Sequence, residues 1–257
     1  MANTPNEKFS MLDPHTQTDR DLEYARRIES YYNHSLGTNM DKLRHFAKFV
    51  PRQVLGKFLA KCEIFQHVLK VHGHIIECGV LLGGGLMTWA QLSSIYEPVN
   101  HVRRIVGFDT FTGFAELTEK DKTNNLDYAV PGGLATHAYD DLMECVELYD
   151  LNRPLGHIPR VEVVVGNAIQ TIPEYLDKNP HIVVSMLYLD FDLYEPTKVA
   201  IETFLPRMPK GAILVFDELD QAQWPGETLA VMDTLGLSNL RIRRFPFTPQ
   251  LSYAVRE

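Results

Sequence analysis

Cysteine is scarce in this sequence: Cys62, Cys78 and Cys145 stand far apart among 257 residues, with no C-x-x-C pair. A small, odd and dispersed set excludes a disulfide framework and a thiolate zinc centre, and reads as reduced thiols in a cytosolic protein. No stretch approaches the roughly 20 consecutive apolar residues of a membrane span. The polar opening MANTPNEKFSMLDPHTQTDRDLEYARR lacks the apolar core of a secretion signal, so the expectation is a cytoplasmic protein with no membrane partner. Basic residues are outnumbered, 25 against 33 acidic, giving a net charge of -8; that balance excludes a general nucleic-acid-binding surface. The 10 histidines show neither HxxxH nor HExxH spacing, which leaves zinc without a ligand set. There is no G-x-S-x-G, which removes the α/β-hydrolase nucleophile turn. There is no G-x-G-x-x-G either, which argues against a nicotinamide or flavin site. Internal repeats and low-complexity segments are also missing.

What is present is an ordinary globular composition, 45% hydrophobic, in a chain long enough for one α/β domain with extensions. Residues 1–16 read as a tail, 18–36 as a charged helix, and 40–71 as two helices broken at Pro51. These form an N-terminal helical cap over residues 1–72. From residue 73, short apolar runs alternate with helical segments: HIIECGV (74–80), RIVGFD (104–109), VEVVV (161–165), IVVSMLYLD (182–190) and AILVFDE (212–218). Apolar runs too short for helices and separated by them signal parallel strands covered on both faces. The closing segments LRIRRFPF and LSYAVRE alternate like an antiparallel pair, with the turn expected at Pro249. The expected fold is α/β, a doubly wound and mostly parallel sheet with an antiparallel C-terminal strand. Residues 112–160 interrupt it, with a turn at Pro131-Gly132-Gly133 and a helix over 138–148. An insertion of that length in a compact domain reads as a lid or binding segment.

The strands of such sheets present their carboxyl ends to the ligand crevice. Two of these runs end in acid: Asp190 with Asp192 on the fourth, and Asp217 with Glu218 on the fifth. Neighbouring strands lie about 4.7–4.9 Å apart, so Asp190, Asp217 and Glu218 can share one hard cation such as magnesium or calcium. Asp192 reads as a residue that orients those ligands or caps the next helix. The first strand ends Glu77-Cys78-Gly79 and is followed by Gly83, Gly84 and Gly85. Such a turn lets backbone approach a ligand and aims helix N–H groups at an anionic part of it; a merely tight turn has the same residues. Asp109, closing the second strand, stands where an acid binds ribose hydroxyls. Asn167 fits two readings, an adenine edge or a helix cap. Trp224 likewise suits a substrate-pocket wall or the core.

In order along residues 55–255, the segments ECGVLLGGG, FDTFTGF, GGLATHAYDDL, VVVGNAIQTIP, LYLDFDLYEPT, LPRMPKGAILVFDE and WPGETLAVMD resemble the macrocin O-methyltransferase family. That resemblance implies a class I, Rossmann-like, seven-stranded methyltransferase core over residues 73–257. It also implies S-adenosylmethionine and magnesium (Mg2+) as cofactors and a homodimer. The acceptor it implies is a hydroxyl of a sugar or sugar-containing small molecule: a nucleotide sugar, a polysaccharide precursor or a glycosylated natural product. Carried over, Glu77, Gly79 and Gly83 line the methionine and ribose end of the cofactor, and Asp109 holds the ribose. Thr110 and Phe111 flank the nucleoside, and Asp190 is both metal ligand and general base at the cofactor. Asp217 and Glu218 complete the metal set, although the family pattern has Asp-Asp where this chain has Asp217-Glu218. Two other readings stay open: an S-adenosylmethionine-binding module with an altered metal site, and a methyltransferase for a non-sugar or phosphate-bearing acceptor.

Overall fold

The structure is a computed structural model in which residues 18–122 and 129–257 are described. The expected tail therefore lies wholly outside the described residues, and so do residues 123–128 of the expected insertion. The chain divides into two compact units, Met1–Phe58 and Leu59–Glu257.

The described part of the first unit is helical. Helix α1 (Asp19–His34) starts at Thr18, whose hydroxyl accepts from the Asp21 N–H while the Asp21 carboxylate accepts from the Thr18 N–H. Helix α2 (Asn39–Arg44) repeats this reciprocal cap with Thr38 and Asp41, so both helices begin where side chains satisfy otherwise orphaned donors. Tyr31 stacks on Phe49 with ring centroids 5.6 Å apart. Helix α3 (Arg52–Val68) starts after Pro51, the expected break, and runs across the boundary into the second unit.

The second unit is built on a sheet of β1 (His74–Cys78), β2 (Ile105–Asp109), β3 (Val161–Val165), β4 (Val184–Leu189), β5 (Ile213–Phe216), β6 (Arg243–Phe245) and β7 (Thr248–Val255). The crossovers are α4 (Gly84–Tyr96), α5 (Tyr139–Leu151), α6 (Ala168–Lys178), α7 (Tyr194–Phe204) and α8 (Pro225–Thr234). Strand order is β3-β2-β1-β4-β5-β7-β6. β7 runs antiparallel to β5 and β6 on either side of it, and the other pairings are parallel. This is the seven-stranded, doubly wound sheet with an antiparallel C-terminal strand that the sequence led us to expect.

Successive strand residues point to opposite faces, which yields two cores. Ile75, Ile105, Met186, Tyr188 and Val215 pack with α3, α4 and α5 on one side. Ile76, Phe108, Leu187, Leu189 and Phe216 pack with α6, α7 and α8 on the other. One detail departs from the sequence reading. The last hairpin turns at Pro246-Phe247, because Phe245 pairs with Thr248, and Pro249 lies inside β7. A proline tolerates that place because the β6–β7 register slips between Arg244 and Phe245, and the β5 pairing starts only at Ser252.

At the opposite, amino end of the sheet, His74 is half-buried, and its Nδ1 accepts from the Arg104 N–H at 3.0 Å. Burial, reinforced by Arg104, His181, Arg103 and His72, pushes its pKa down to about 4. The folded state therefore holds fewer protons than the unfolded chain between pH 4 and 6.5. Stability should be complete above pH 6.5, fall as pH drops toward 4, and stop falling from this source below it. Urea melts of wild type and His74→Gln across that window test this; parallel pH dependences would refute it.

Candidate active site

Ladder hydrogen bonds continue past the strand ends and set the site's floor. Asp190 N–H donates to Cys78 O at 2.8 Å, Asp217 N–H to Leu189 O at 3.1 Å, and Gly79 N–H to Phe108 O at 3.0 Å. The carboxyl ends of β2, β1, β4 and β5 are thereby aligned, placing Asp109, Gly79, Asp190 and Asp217 along one edge.

The acids converge there. One carboxylate oxygen each of Asp190, Asp192 and Glu218 lies within 4.8 Å of the other two. Asp192 reaches this cluster from a left-handed backbone, φ +62°, a conformation costly for a non-glycine residue and concentrated at functional sites. Asp217, expected among the ligands, is outside that triad. It is buried behind it and accepts a hydrogen bond from the Tyr188 hydroxyl. Burial, with the Asp217, Asp192 and Asp190 carboxylates around it, pushes Glu218 up to about 11. So many acids in one desolvated place repel unless a cation neutralises them. Clustered hard oxygen donors suit magnesium or calcium, so the residues fit the expected metal.

A further acid beside the cluster carries no signal in the sequence. Glu227, in the first turn of α8, is fully buried, and its Oε1 accepts from the Glu218 N–H at 3.1 Å. Its other oxygen has no hydrogen-bond partner among the described residues. Burial, then Asp217, Asp190 and Asp192, hold its pKa well above the carboxylate range. An acid after Trp224-Pro225-Gly226 reads as a solvated first-turn residue favoured by the helix dipole; only the folded packing shows otherwise.

Beside the acids lies the glycine loop. Gly79 has φ +92°, and a Cβ there would sit 1.9 Å from the Asp190 carbonyl oxygen, so only glycine lets β1 leave the sheet at this point. Gly83 stands ahead of α4 in the left-handed region, and no side chain caps that helix. Its first-turn N–H groups are therefore available to an anionic ligand. A Cβ on Gly85 would meet Glu77 Oε1 at 2.3 Å and Lys61 Nζ at 2.7 Å. Glu77 thus lies buried beneath the helix start, where its carboxylate borders the loop. Lys61, also buried, sits over the Tyr188 and Trp89 rings, 4.6 and 5.2 Å from their centroids.

Asp109 braces this loop. Its Oδ2 accepts from the Val80 and Leu81 N–H groups at 2.7 and 2.9 Å, and its Oδ1 from Phe111 N–H at 2.7 Å. A carboxylate has about four lone-pair sites, so these bonds leave room for one more donor. Thr110 Oγ1 donates to Gly113 O at 2.6 Å, and buried Phe111 sits edge-on to Tyr139. Asn167 is placed as a helix cap, its Oδ1 accepting from Ile169 N–H at 3.1 Å. Trp224 meets Phe114 of the insertion edge-on, centroids 5.6 Å apart, so the loop after β5 and the insertion share an aromatic wall. Asp121, also in the insertion, accepts from Tyr194 N–H at the start of α7 at 2.6 Å.

Residues 76–219 match the methyltransferase domain family. The chain belongs to that family. Its sheet order and lone antiparallel strand are those of class I methyltransferases. The crystal structure of CalS11, calicheamicin methyltransferase, superposes with a TM-score of 0.89 at 32% identity, covering 99% of this chain and 98% of that one. An apo structure of CalS11, described as a TDP-rhamnose 3'-O-methyltransferase of calicheamicin biosynthesis, gives 0.80 at 35% identity over 93% and 95%. The O-methyltransferase NovP shares the fold, with a TM-score of 0.61 at 18% identity over 79% and 81%. No curated protein matches significantly. As a member of this family that aligns with an O-methyltransferase over nearly its whole length, the chain is an S-adenosylmethionine-dependent O-methyltransferase. Among the described residues, no helix is long and apolar enough to cross a membrane.

Proposed function

We propose that this methyltransferase acts on a hydroxyl of a sugar carried by a small molecule, with a nucleotide-linked sugar as the first acceptor to test, and that it needs a divalent cation. The observation that carries the proposal is the meeting of Asp190, Asp192 and Glu218 beside the Gly79 loop. That meeting supports an acidic cation site next to a turn that would bind the cofactor. The full-length likeness to a TDP-rhamnose 3'-O-methyltransferase supports the sugar acceptor, and the macrocin-type motifs agree with it. Homodimer formation belongs to this reading and rests on the resemblance.

The residues that would hold magnesium are Asp190, Asp192 and Glu218, with Asp217 tied behind them by Tyr188. When bound, magnesium fixes a hydroxyl and lowers its pKa, and S-adenosylmethionine supplies an electrophilic methyl. The protein's own work is positioning and proton transfer. Glu77, the Gly79–Gly83 turn and the open first turn of α4 would receive the cofactor's methionine end, and Asp109 would offer its remaining acceptor site to the ribose. Asp190, at the end of the central strand pair, takes the proton of the acceptor hydroxyl as general base. Trp224 and Phe114 supply an apolar wall that excludes water from the reacting atoms.

Transfer to TDP-sugars should be visible as S-adenosylhomocysteine release by chromatography. Chelation should lower it by on the order of a hundredfold or more, and added magnesium should restore it. Transfer unchanged in chelator would overturn the metal requirement. Methylation confined to acceptors without a sugar would overturn the acceptor class.

A further inference from the structure

We infer that Glu227 is a positioning residue for the cation site: its carboxyl oxygen, accepting from the Glu218 N–H, fixes the chain at the end of β5 so that Glu218 reaches Asp190 and Asp192. This rests on the metal reading above and adds to it a residue outside the converging triad.

Glu218 is the first residue after Asp217 at the strand end, where ladder pairing has stopped, so the sheet no longer sets its backbone direction. The bond from Glu218 N–H to Glu227 Oε1, 3.1 Å long, replaces it. The brace is rigid at its other end. Glu227 sits in the first turn of α8, between Gly226 and buried Ala230 and Val231. Gly226 is packed so tightly that an added Cβ would lie 2.5 Å from Tyr194 N and 2.9 Å from Asp192 O. The same turn of helix therefore abuts the backbone of Asp192 and holds that of Glu218. Two of the three converging acids take their placement from it. A fully buried carboxyl with one oxygen engaged and the other without a partner among the described residues is costly to keep for stability alone. An amide would make the same bond. What the shape of the side chain preserves is one acceptor at one reach.

Residues that orient metal ligands typically change affinity by 10–100-fold when replaced. The test is manganese binding to the whole purified chain, by calorimetry, in wild type, Glu227→Gln, Glu227→Asp and Glu227→Leu, with a thermal melt of each. Glutamine keeps an acceptor at the same reach and should bind within about threefold of wild type. Aspartate falls one methylene short and leucine has no acceptor; both should bind about 10–100-fold more weakly. The aspartate variant keeps the test decisive where leucine fails to fold. Wild-type affinity in a folded aspartate or leucine variant would overturn the inference. A glutamine variant as weak as aspartate would overturn it too, by making charge the operative property. Wild type binding no manganese would overturn the metal reading and this inference with it.

Discussion

Replacing Asp190 by Asn should abolish transfer while leaving the cofactor bound. Asparagine keeps the size of the side chain and one acceptor oxygen, but it can neither take a proton nor lend charge to a cation. A positioned general base contributes about 10²–10⁴ in rate, so kcat should fall by at least about that factor. The backbone at this position is held independently of the side chain, through Asp190 N–H on Cys78 O and the Asp190 carbonyl packed against Gly79. The fold should therefore survive, and donor affinity should stay within about tenfold, or roughly 1.4 kcal/mol. Single-turnover transfer and donor calorimetry on the same preparation separate the two effects. Near-wild-type turnover in the variant would remove Asp190 from its assigned role.

Gly79→Ala should damage both stability and catalysis. The new Cβ would be placed 1.9 Å from the Asp190 carbonyl oxygen and 2.8 Å from its carbon, on a backbone with φ +92°. Strain at such a conformation costs about 1–3 kcal/mol, and overpacking costs about 1–3 kcal/mol more. For a unit of this size each kcal/mol moves Tm by about 2–4 °C. The expected drop is therefore on the order of 4–24 °C. Relief can come only by moving the end of β4, which displaces Asp190, so kcat should fall with Tm. Gly84→Ala is the control for the fold, since nothing lies within 4 Å of its added Cβ; its Tm should hold or rise. A Gly79→Ala protein melting with wild type would show that the close approach of β1 and β4 is not required.

The strands and their order of appearance were legible in the sequence because each is a short apolar run closed by glycine or acid, and HIIECGV or AILVFDE has little else to become. The acids at the ends of β4 and β5 were legible for the same reason. Which of them meet was not. Asp192 joins Asp190 and Glu218 through a left-handed backbone, and no residue type announces that conformation when it is not glycine. Asp217 turns back to Tyr188, 29 positions away, a choice made by side-chain packing in the interior. Glu227 was hidden because a first-turn glutamate is favourable on almost any exposed helix. Pro249 misled for a related reason: proline marks turns, yet a slipped ladder offers it a place within a strand.

The insertion closes on itself before it reaches outward. Phe114 N–H donates to Gly133 O at 3.0 Å and Gly132 N–H to Phe114 O at 2.8 Å, so its two arms are tied together beside the strand ends. A loop whose neck is already fastened can gain or lose residues beyond the neck cheaply, since doubling its length costs only about 0.6 kcal/mol in closure entropy. Changes of length there need not disturb the carboxyl ends of β1, β2, β4 and β5, whose alignment is set by their own ladder hydrogen bonds.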